Sequence, residues 1–322
     1  MRVTKNFRNL ICMNRIVLVL CTFVFLPIFE ASFSDDFWRP LHGKLIPSDS
    51  RALNHTCGKH FLPDEVEFRS IGSTLAKNKE YPWTVGLKVP TKRCSAVLIS
   101  TRHVLTAAHC VTIPIKDSKN SKNSCRFVEF FESQVQIYPG TKVKDMLNIP
   151  LFTGSFRVVN MTVHPNYKPC LRGNDIALLE LSQNMFSDGS PICMPDANET
   201  IPEVLTLTGF GWNPNDPKRA MLQAVNLTFN STTIYNEIET YTQDKAPCQG
   251  DSGGPLFKTK NGKHILLGIA YASTQCQKDG TKKRALFDDV RTQIEWICRV
   301  SGFFFFSMIS VALHYPADIQ YF

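Results

Sequence analysis

Three short motifs, widely separated along the chain, restrict the folds that this sequence can adopt. Each carries one residue suited to nucleophilic chemistry: a histidine, an aspartate or a glycine-flanked serine. A serine hydroxyl is a poor nucleophile unless a histidine lies within hydrogen-bond reach and an acid fixes the tautomer of that histidine. The fold must therefore bring distant segments to one place. The motifs are Leu105-Thr-Ala-Ala-His-Cys110, Gly173-Asn-Asp-Ile-Ala-Leu-Leu-Glu-Leu181 and Cys248-Gln-Gly-Asp-Ser-Gly-Gly-Pro255.

Much of the remaining sequence has the pattern of β-strands. Residues 83–89 alternate with period two, and Lys260-Asn-Gly-Lys263 predicts a hairpin turn between strands at 256–259 and 264–270. Residues 289–300 have helical spacing of their apolar side chains. Many short strands separated by turn signals predict an all-β barrel or sandwich. Further strands are predicted at 95–99, 103–106, 135–138, 156–163, 176–181, 205–209 and 224–229.

Residues 1–34 have the three parts of a signal peptide. Positive charges up to Arg15 precede an apolar run over 16–29, and small residues follow at Ala31, Ser32 and Ser34. The run is shorter than the ~20 residues that span a bilayer, and a signal-anchor is the alternative. Met13 is a second candidate start. We expect a secreted, extracellular protein with no stable membrane association.

Composition agrees with secretion and argues against other functions. Nine of the eleven cysteines follow the signal peptide, a content typical of an oxidising compartment. The net charge of +8 is mildly basic, and no basic stripe is interleaved with aromatic residues, so we expect no nucleic-acid partner. His103 and His109 have no matching cysteine or acid cluster, so we expect no metal site. Five glycosylation sequons agree with secretion: Asn54, Asn160, Asn198, Asn226 and Asn230.

Together the three motifs resemble those of the trypsin/chymotrypsin family of serine proteases, and the resemblance runs from about Arg69 to Val300. It implies an all-β fold of two six-stranded antiparallel β-barrels with a C-terminal helix, over residues 70–300. Residues 35–69 are then a pro-segment. The implied activity is that of a serine endopeptidase, made as a zymogen, which acts on proteins or peptides without a cofactor. An activating protease and a protein inhibitor are further implied partners.

The resemblance also assigns the catalytic roles. Ser252 is the expected nucleophile, His109 the base that takes its proton and returns it to the leaving amine, and Asp175 the acid that holds the imidazole. The backbone N–H groups of Gly250 and Ser252 are the expected oxyanion hole. Glycine suits position 250 because a side chain there would crowd the substrate.

Activation in this family pairs a freed N-terminal amine with the acid just before the nucleophile. The implied pair here is Ser70, freed by cleavage after Arg69, and Asp251. The family usually has isoleucine or valine where this chain has Ser70, and glycine where it has Ser73. The missing aliphatic side chain would bury less apolar surface and weaken insertion by about 1.5–3 kcal/mol.

The specificity pocket that the resemblance implies also departs from the family. Ala246 stands at the pocket floor, where trypsin-like members have an acid, and a shift of the loop that brings Asp244 inward is the alternative. Tyr271 and Ser273 replace the usual serine and glycine of the pocket wall, and Ala285 replaces a further glycine. With no buried acid assigned to the pocket, we expect a preference for small or medium apolar side chains.

The family pattern implies three disulfides: Cys94–Cys110, Cys248–Cys276 and Cys57–Cys193. Cys125 and Cys170 are then left as a fourth pair, and Cys298 is left without an assigned partner. The segment from Gly211 to Cys248 is short and lacks two family cysteines, which is similar to a divergent trypsin-like subfamily found in nematodes.

Two alternatives stay open at this stage. The altered activation terminus and pocket favour a protease homologue that acts as a binding module, whereas the intact triad favours an enzyme. Residues 301–322 form an atypical apolar tail with four consecutive phenylalanines. This tail is either a membrane-associating segment or the product of an unspliced or mispredicted gene end.

Overall fold

The structure, a computed structural model, describes residues 44–59, 74–77, 79–115, 125–214, 216–274 and 279–303. The predicted signal peptide, the cleavage site at Arg69 and nearly all of the apolar tail lie outside these residues. The described residues fall into two compact units, one within residues 52–292 and the other within residues 1–51 and 293–322. In the second of these, the backbone N–H of Leu45 donates to the C=O of Ser301 at 2.8 Å.

Strands dominate the described residues. The helices are α1 (Pro47–Thr56), α2 (Ala108–Val111) and α3 (Val290–Ser301). The strands in chain order are β1 (Thr74–Leu75), β2 (Thr84–Val89), β3 (Lys92–Leu98), β4 (His103–Thr106), β5 (Thr112–Pro114), β6 (Phe127–Glu129), β7 (Gln136–Pro139), β8 (Phe156–Val163), β9 (Ala177–Leu181), β10 (Val204–Gly209), β11 (Gln223–Thr232), β12 (Glu237–Gln243), β13 (Pro255–Lys260), β14 (Lys263–Ser273) and β15 (Lys282–Asp289).

The two large sheets are closed barrels. The first has the strand order β2-β3-β4-β9-β8-β7. In the second, the order β11-β10-β13-β14-β15-β12 closes because β11 also pairs with β12, and β1 adds to the outer side of β11. All of these pairings are antiparallel. The expected fold of two six-stranded antiparallel barrels with a C-terminal helix is confirmed.

Alternating apolar side chains fill the second barrel, as the period-two pattern predicts. At its edge, the ring of Trp83 from the first barrel meets Phe257 edge-on, with centroids 5.5 Å apart. This aromatic contact helps to fix one barrel against the other. The buried side chains of the second barrel are Leu205, Leu207, Leu227, Ile238, Leu256, Leu267, Ala270, Ala285 and Phe287.

Local signals explain the turns and the helix. Asn261 and Gly262 both have positive φ angles, 52° and 72°, as a two-residue turn between β13 and β14 requires. Asp289 caps α3, because its carboxylate accepts the backbone N–H of Arg291 at 3.0 Å. Five strands, β1, β5, β6, β12 and β15, lie outside the strand segments predicted from the sequence. In the described part of the chain, no helix combines the length and apolar character needed to cross a membrane.

Candidate active site

The histidine and the aspartate meet at the ends of two paired strands. The register of β4 and β9 sets Thr106 opposite Ala177. His109, just beyond β4, therefore lies beside Asp175, just before β9. The Asp175 carboxylate accepts two hydrogen bonds from His109, from ring Nδ1 and from the backbone N–H, each 2.8 Å long. Because ring Nδ1 donates its hydrogen to Asp175, Nε2 of the neutral ring is free to accept a proton.

The serine loop packs directly against the segment that carries His109. A Cβ placed on Gly253 would collide with the Thr106 hydroxyl and with the C=O of Ser95. The C=O of Ser252 accepts the backbone N–H of Ser95 at 2.8 Å and lies 3.7 Å from the sulfur of Cys110. These contacts bring the segments of His109, Asp175 and Ser252 to one place.

Gly250 has a conformation that only glycine adopts without strain. Its φ is +104°, and an added Cβ would lie 2.9 Å from the C=O of Phe210. The sequence predicts that the N–H of Gly250 points the same way as that of Ser252. This orientation depends on the turn at Gly250.

Asp251 is buried, and two backbone N–H groups bind its carboxylate. Gly211 donates to Oδ1 at 2.7 Å and Cys248 donates to Oδ2 at 2.9 Å. Burial raises the pKa of Asp251 to about 6, although these two hydrogen bonds oppose the rise. A Cβ on Gly209 or Gly211 would collide with the carboxylate, so both glycines make room for it. Its expected partner, Ser70, lies outside the described residues.

The residues predicted for the specificity pocket fall into two groups. Ser273 pairs with Ala285 across β14 and β15, and its hydroxyl donates to the C=O of Pro247 at 2.6 Å, next to Ala246. Tyr271 instead lies where the register of β14 shifts, between Ala270 and Ala272. At this irregularity the Tyr271 hydroxyl donates to the carboxylate of Glu237 on β12.

Asp244, the alternative acid of the pocket, binds elsewhere. Its φ is positive, at 51°, and its Oδ1 accepts the backbone N–H of Gly280 at 2.9 Å and that of Asp279 at 3.2 Å. The carboxylate therefore closes the turn before β15.

Sequence reasoning missed a buried ionic cluster beside the triad. The Glu237 carboxylate, fully buried on β12, binds the guanidinium of Arg172 and the hydroxyls of Thr233 and Tyr271. Burial alone would raise the pKa of Glu237, but the hydrogen bonds from Arg172, Thr233 and Tyr271 outweigh it and hold the pKa below the usual range. The guanidinium also lies over the ring of Tyr235, 4.9 Å from its centroid.

A second buried carboxyl, Asp288, lies next to the triad. It is opposite Glu237 in the β12–β15 register, and its Oδ1 accepts the backbone N–H of Asn174 at 2.8 Å. Within the described residues its Oδ2 has no hydrogen-bond partner. Burial raises its pKa well above the usual value, and the charge of Asp175 raises it further. Both effects favour the protonated, neutral form of Asp288 beside the charge of Asp175.

The described residues form three disulfides: Cys57–Cys193, Cys94–Cys110 and Cys125–Cys170. The second brackets the turn that carries His109. Although its sulfurs lie near the imidazole, they are bonded to each other and are not available as thiolate ligands for a metal. Cys276 of the remaining expected pair, Cys248–Cys276, lies outside the described residues.

Comparison with known proteins gives a consistent result. Residues 70–297 match the family model described as Trypsin. Phenoloxidase-activating factor 3 of Holotrichia diomphalia is 29% identical, in a match that covers 73% of this chain and 75% of that protein. CLIP domain-containing serine protease B9 of Anopheles gambiae is 28% identical, over 73% of this chain and 62% of its own length. Transmembrane protease serine 11E of Mus musculus is 28% identical, over 78% of this chain and 59% of its own length.

Proposed function

This chain belongs to the trypsin family of serine proteases, and on that premise we propose that it is a secreted serine endopeptidase made as a zymogen. The observation that carries the proposal is the pair of hydrogen bonds from His109 to Asp175, next to the loop of Ser252. In the proposed organisation, residues 1–34 are a signal peptide, 35–69 a pro-segment, 70–300 the protease domain and 301–322 a tail.

The proposed reaction is acyl transfer. His109 takes the proton of the Ser252 hydroxyl as that oxygen attacks the substrate carbonyl, and Asp175 stabilises the imidazolium that forms. The N–H groups of Gly250 and Ser252 bind the developing oxyanion. The imidazolium then protonates the leaving amine. Water next attacks the acyl-enzyme while His109 takes its proton, and the imidazolium returns a proton to the Ser252 oxygen as the acid product leaves.

We propose that cleavage after Arg69 completes the site. The freed amine of Ser70 would pair with the Asp251 carboxylate, which is buried and whose hydrogen-bond donors, within the described residues, are uncharged backbone N–H groups. An ammonium group there would lower the pKa of Asp251 and fix the loop before Ser252. Since Ser70 lacks an aliphatic side chain, we expect its insertion to be weaker than that of isoleucine or valine.

The proposed substrate side chain is small or medium and apolar. Ala246, Ser273 and Ala285 offer no carboxylate to a basic side chain, and the carboxylate of Asp244 is occupied by two backbone N–H groups. A peptide library cleaved by the activated protein would test this preference, with a Ser252→Ala variant as the background. Preferential cleavage after arginine or lysine would contradict it.

A fluorophosphonate probe tests the activity itself. We would secrete the full chain from a eukaryotic host, cleave it with limited trypsin, and compare labelling of the wild type with that of Ser252→Ala and of the uncleavable Arg69→Gln. We expect strong labelling of cleaved wild type and none of Ser252→Ala. No labelling of folded, correctly cleaved protein would contradict the enzymatic proposal.

A binding module is the second candidate function. The serine at position 70 and the altered pocket support it, because both weaken features on which a protease depends. In that case the fluorophosphonate would not label the folded, cleaved chain, and the chain would still bind a protein partner.

Secretion is supported by the disulfides and by the sequons. Since the relatives include a protease whose name places it in a membrane, membrane attachment is an outcome that the test must allow. Recovery of a glycosidase-sensitive protein from the medium would support secretion, whereas retention with the membrane fraction would contradict it. Four of the five sequon asparagines are exposed and the fifth is half-buried: Asn54, Asn160, Asn198 and Asn230, and then Asn226.

A further inference from the structure

One buried serine of the first barrel binds the nucleophile loop of the second barrel at two points. Ser95 lies in β3 and is completely buried. Its hydroxyl donates to the C=O of Gly250 at 2.8 Å, and its backbone N–H donates to the C=O of Ser252 at 2.8 Å. The two residues whose N–H groups form the proposed oxyanion hole are thus both held, through their own C=O groups, by Ser95.

The Ser95 hydroxyl is itself held in place. It accepts the backbone N–H of Phe210 at 2.9 Å while it donates to Gly250. Both of its hydrogen-bonding roles are therefore used, and its direction is fixed. The C=O of Ser95 accepts the hydroxyl of Thr106, at 2.9 Å, from the strand that leads to His109. One residue is thereby bonded to both sides of the catalytic arrangement.

The site fits a hydroxymethyl group closely. A Cβ on Gly209 would lie 3.0 Å from the Ser95 oxygen, and a Cβ on Gly254 would lie 3.3 Å from the Ser95 Cβ. The hydroxyl thus occupies a tight space between β10 and the nucleophile loop. Within the described residues, the Ser95 hydroxyl bonds only to backbone groups of Gly250 and Phe210, neither of which is a chain terminus.

We propose that Ser95 is a positioning residue, which holds the Gly250–Ser252 segment so that its N–H groups point at the developing oxyanion. This inference rests on the proposed serine-protease function. Ser95 is uncharged and does not require the amine of Ser70. It therefore supports the Gly250–Ser252 segment even when the altered N-terminus inserts weakly. The uncleaved chain should therefore keep part of the activity, and that part should depend on the Ser95 hydroxyl.

The test uses the full chain and a fluorescent fluorophosphonate, with kinact and KI measured separately for cleaved protein. Ser95→Ala removes the hydroxyl alone. The matched control is Thr84→Val, since the Thr84 hydroxyl is also buried and also joins the barrels, 2.6 Å from the hydroxyl of Thr208. We expect Ser95→Ala to lower kinact about tenfold, less than the ~10²–10³ that loss of an oxyanion donor costs, and to leave KI within about twofold. Thr84→Val should lower the melting temperature and leave both constants unchanged.

A second variant, Ser95→Cys, keeps the proposal testable if Ser95→Ala fails to fold. Ser95→Cys offers only a weak donor and should lower kinact in the same direction. Labelling of the uncleaved Arg69→Gln chain should be measurable and should fall by a similar factor when Ser95→Ala is added. Wild-type kinact in Ser95→Ala or Ser95→Cys, or an equal loss in Thr84→Val, would overturn the role of Ser95. A wild type that the probe does not label would overturn the proposed function instead.

Discussion

His109 is bound to Asp175 through both its ring and its backbone, by two hydrogen bonds of equal length, 2.8 Å. The carboxylate therefore fixes the position of the turn as well as the orientation of the imidazole. These are separate tasks, and a substitution that keeps the first while it changes the second can distinguish them.

Asp175→Asn makes that distinction. The amide oxygen can still accept the backbone N–H of His109, so we expect the variant to fold. The amide NH₂ then faces Nδ1 and forces the proton onto Nε2, where it blocks proton transfer from Ser252. We expect fluorophosphonate labelling to fall about 10⁴-fold, the scale of a wrong tautomer, with the melting temperature nearly unchanged. Labelling within tenfold of the wild type would show that Asp175 does not set the tautomer.

Asp288→Asn tests whether the second buried carboxyl is neutral. Since the folded state raises the pKa of Asp288, the folded protein binds more protons than the unfolded chain, and its stability falls as pH rises above the usual carboxyl range. The neutral asparagine keeps an acceptor for Asn174 and removes this penalty. We expect the variant to melt higher than the wild type at pH 8, with the difference shrinking toward pH 4. A difference independent of pH would argue against a raised pKa.

The sequence predicts the parts of this site that lie within motifs. His109, Asp175 and Ser252 each stand in a local pattern, and the pleated alternation predicts most strands. Glu237 has no such signal, because its partners come from the loop before β9 and from β14, and only the register of β12 and β15 brings it opposite Asp288. Ser95 is similar, since its role depends on the contact between two barrels.

Asp251 should make the stability of the uncleaved chain depend on pH. Its pKa is raised from 3.8 to about 6, so between these values the folded state holds a proton that the unfolded state has lost. The free energy of unfolding of Arg69→Gln should therefore fall by about 3 kcal/mol as pH rises through this window, on account of this group. Urea unfolding at several pH values, with Arg69→Gln/Asp251→Ala as the reference, isolates the contribution. The cleaved wild type should lose this slope if its new N-terminus pairs with Asp251, and equal slopes in all three proteins would contradict the assignment.

Arg172→Met should lower the free energy of unfolding, because it leaves the buried charge of Glu237 without its ion-pair partner. The Glu237 side chain is fully buried, whereas that of Arg172 is 39% exposed. Removal of one partner of a buried ion pair typically lowers stability by about 3–5 kcal/mol. Because the arginine is partly exposed, we expect a loss at the lower end of this range. Because Arg172 holds the pKa of Glu237 below its usual value, the stability it supplies is present above pH ~4.5 and is lost as pH falls through the folded pKa.

Arg284→Met is the matched control for that variant. Arg284 pairs with Glu239 and is similarly exposed, at 42%, but its partner retains 13% exposure and can be solvated. We therefore expect a loss of about 1 kcal/mol for Arg284→Met and about 3 kcal/mol for Arg172→Met, both from urea unfolding at pH 7.5. Adding Glu237→Gln to Arg172→Met should recover part of the larger loss, because it removes the buried charge. Equal losses in the two arginine variants, or no recovery in the double variant, would mean that Glu237 is solvated in the folded protein.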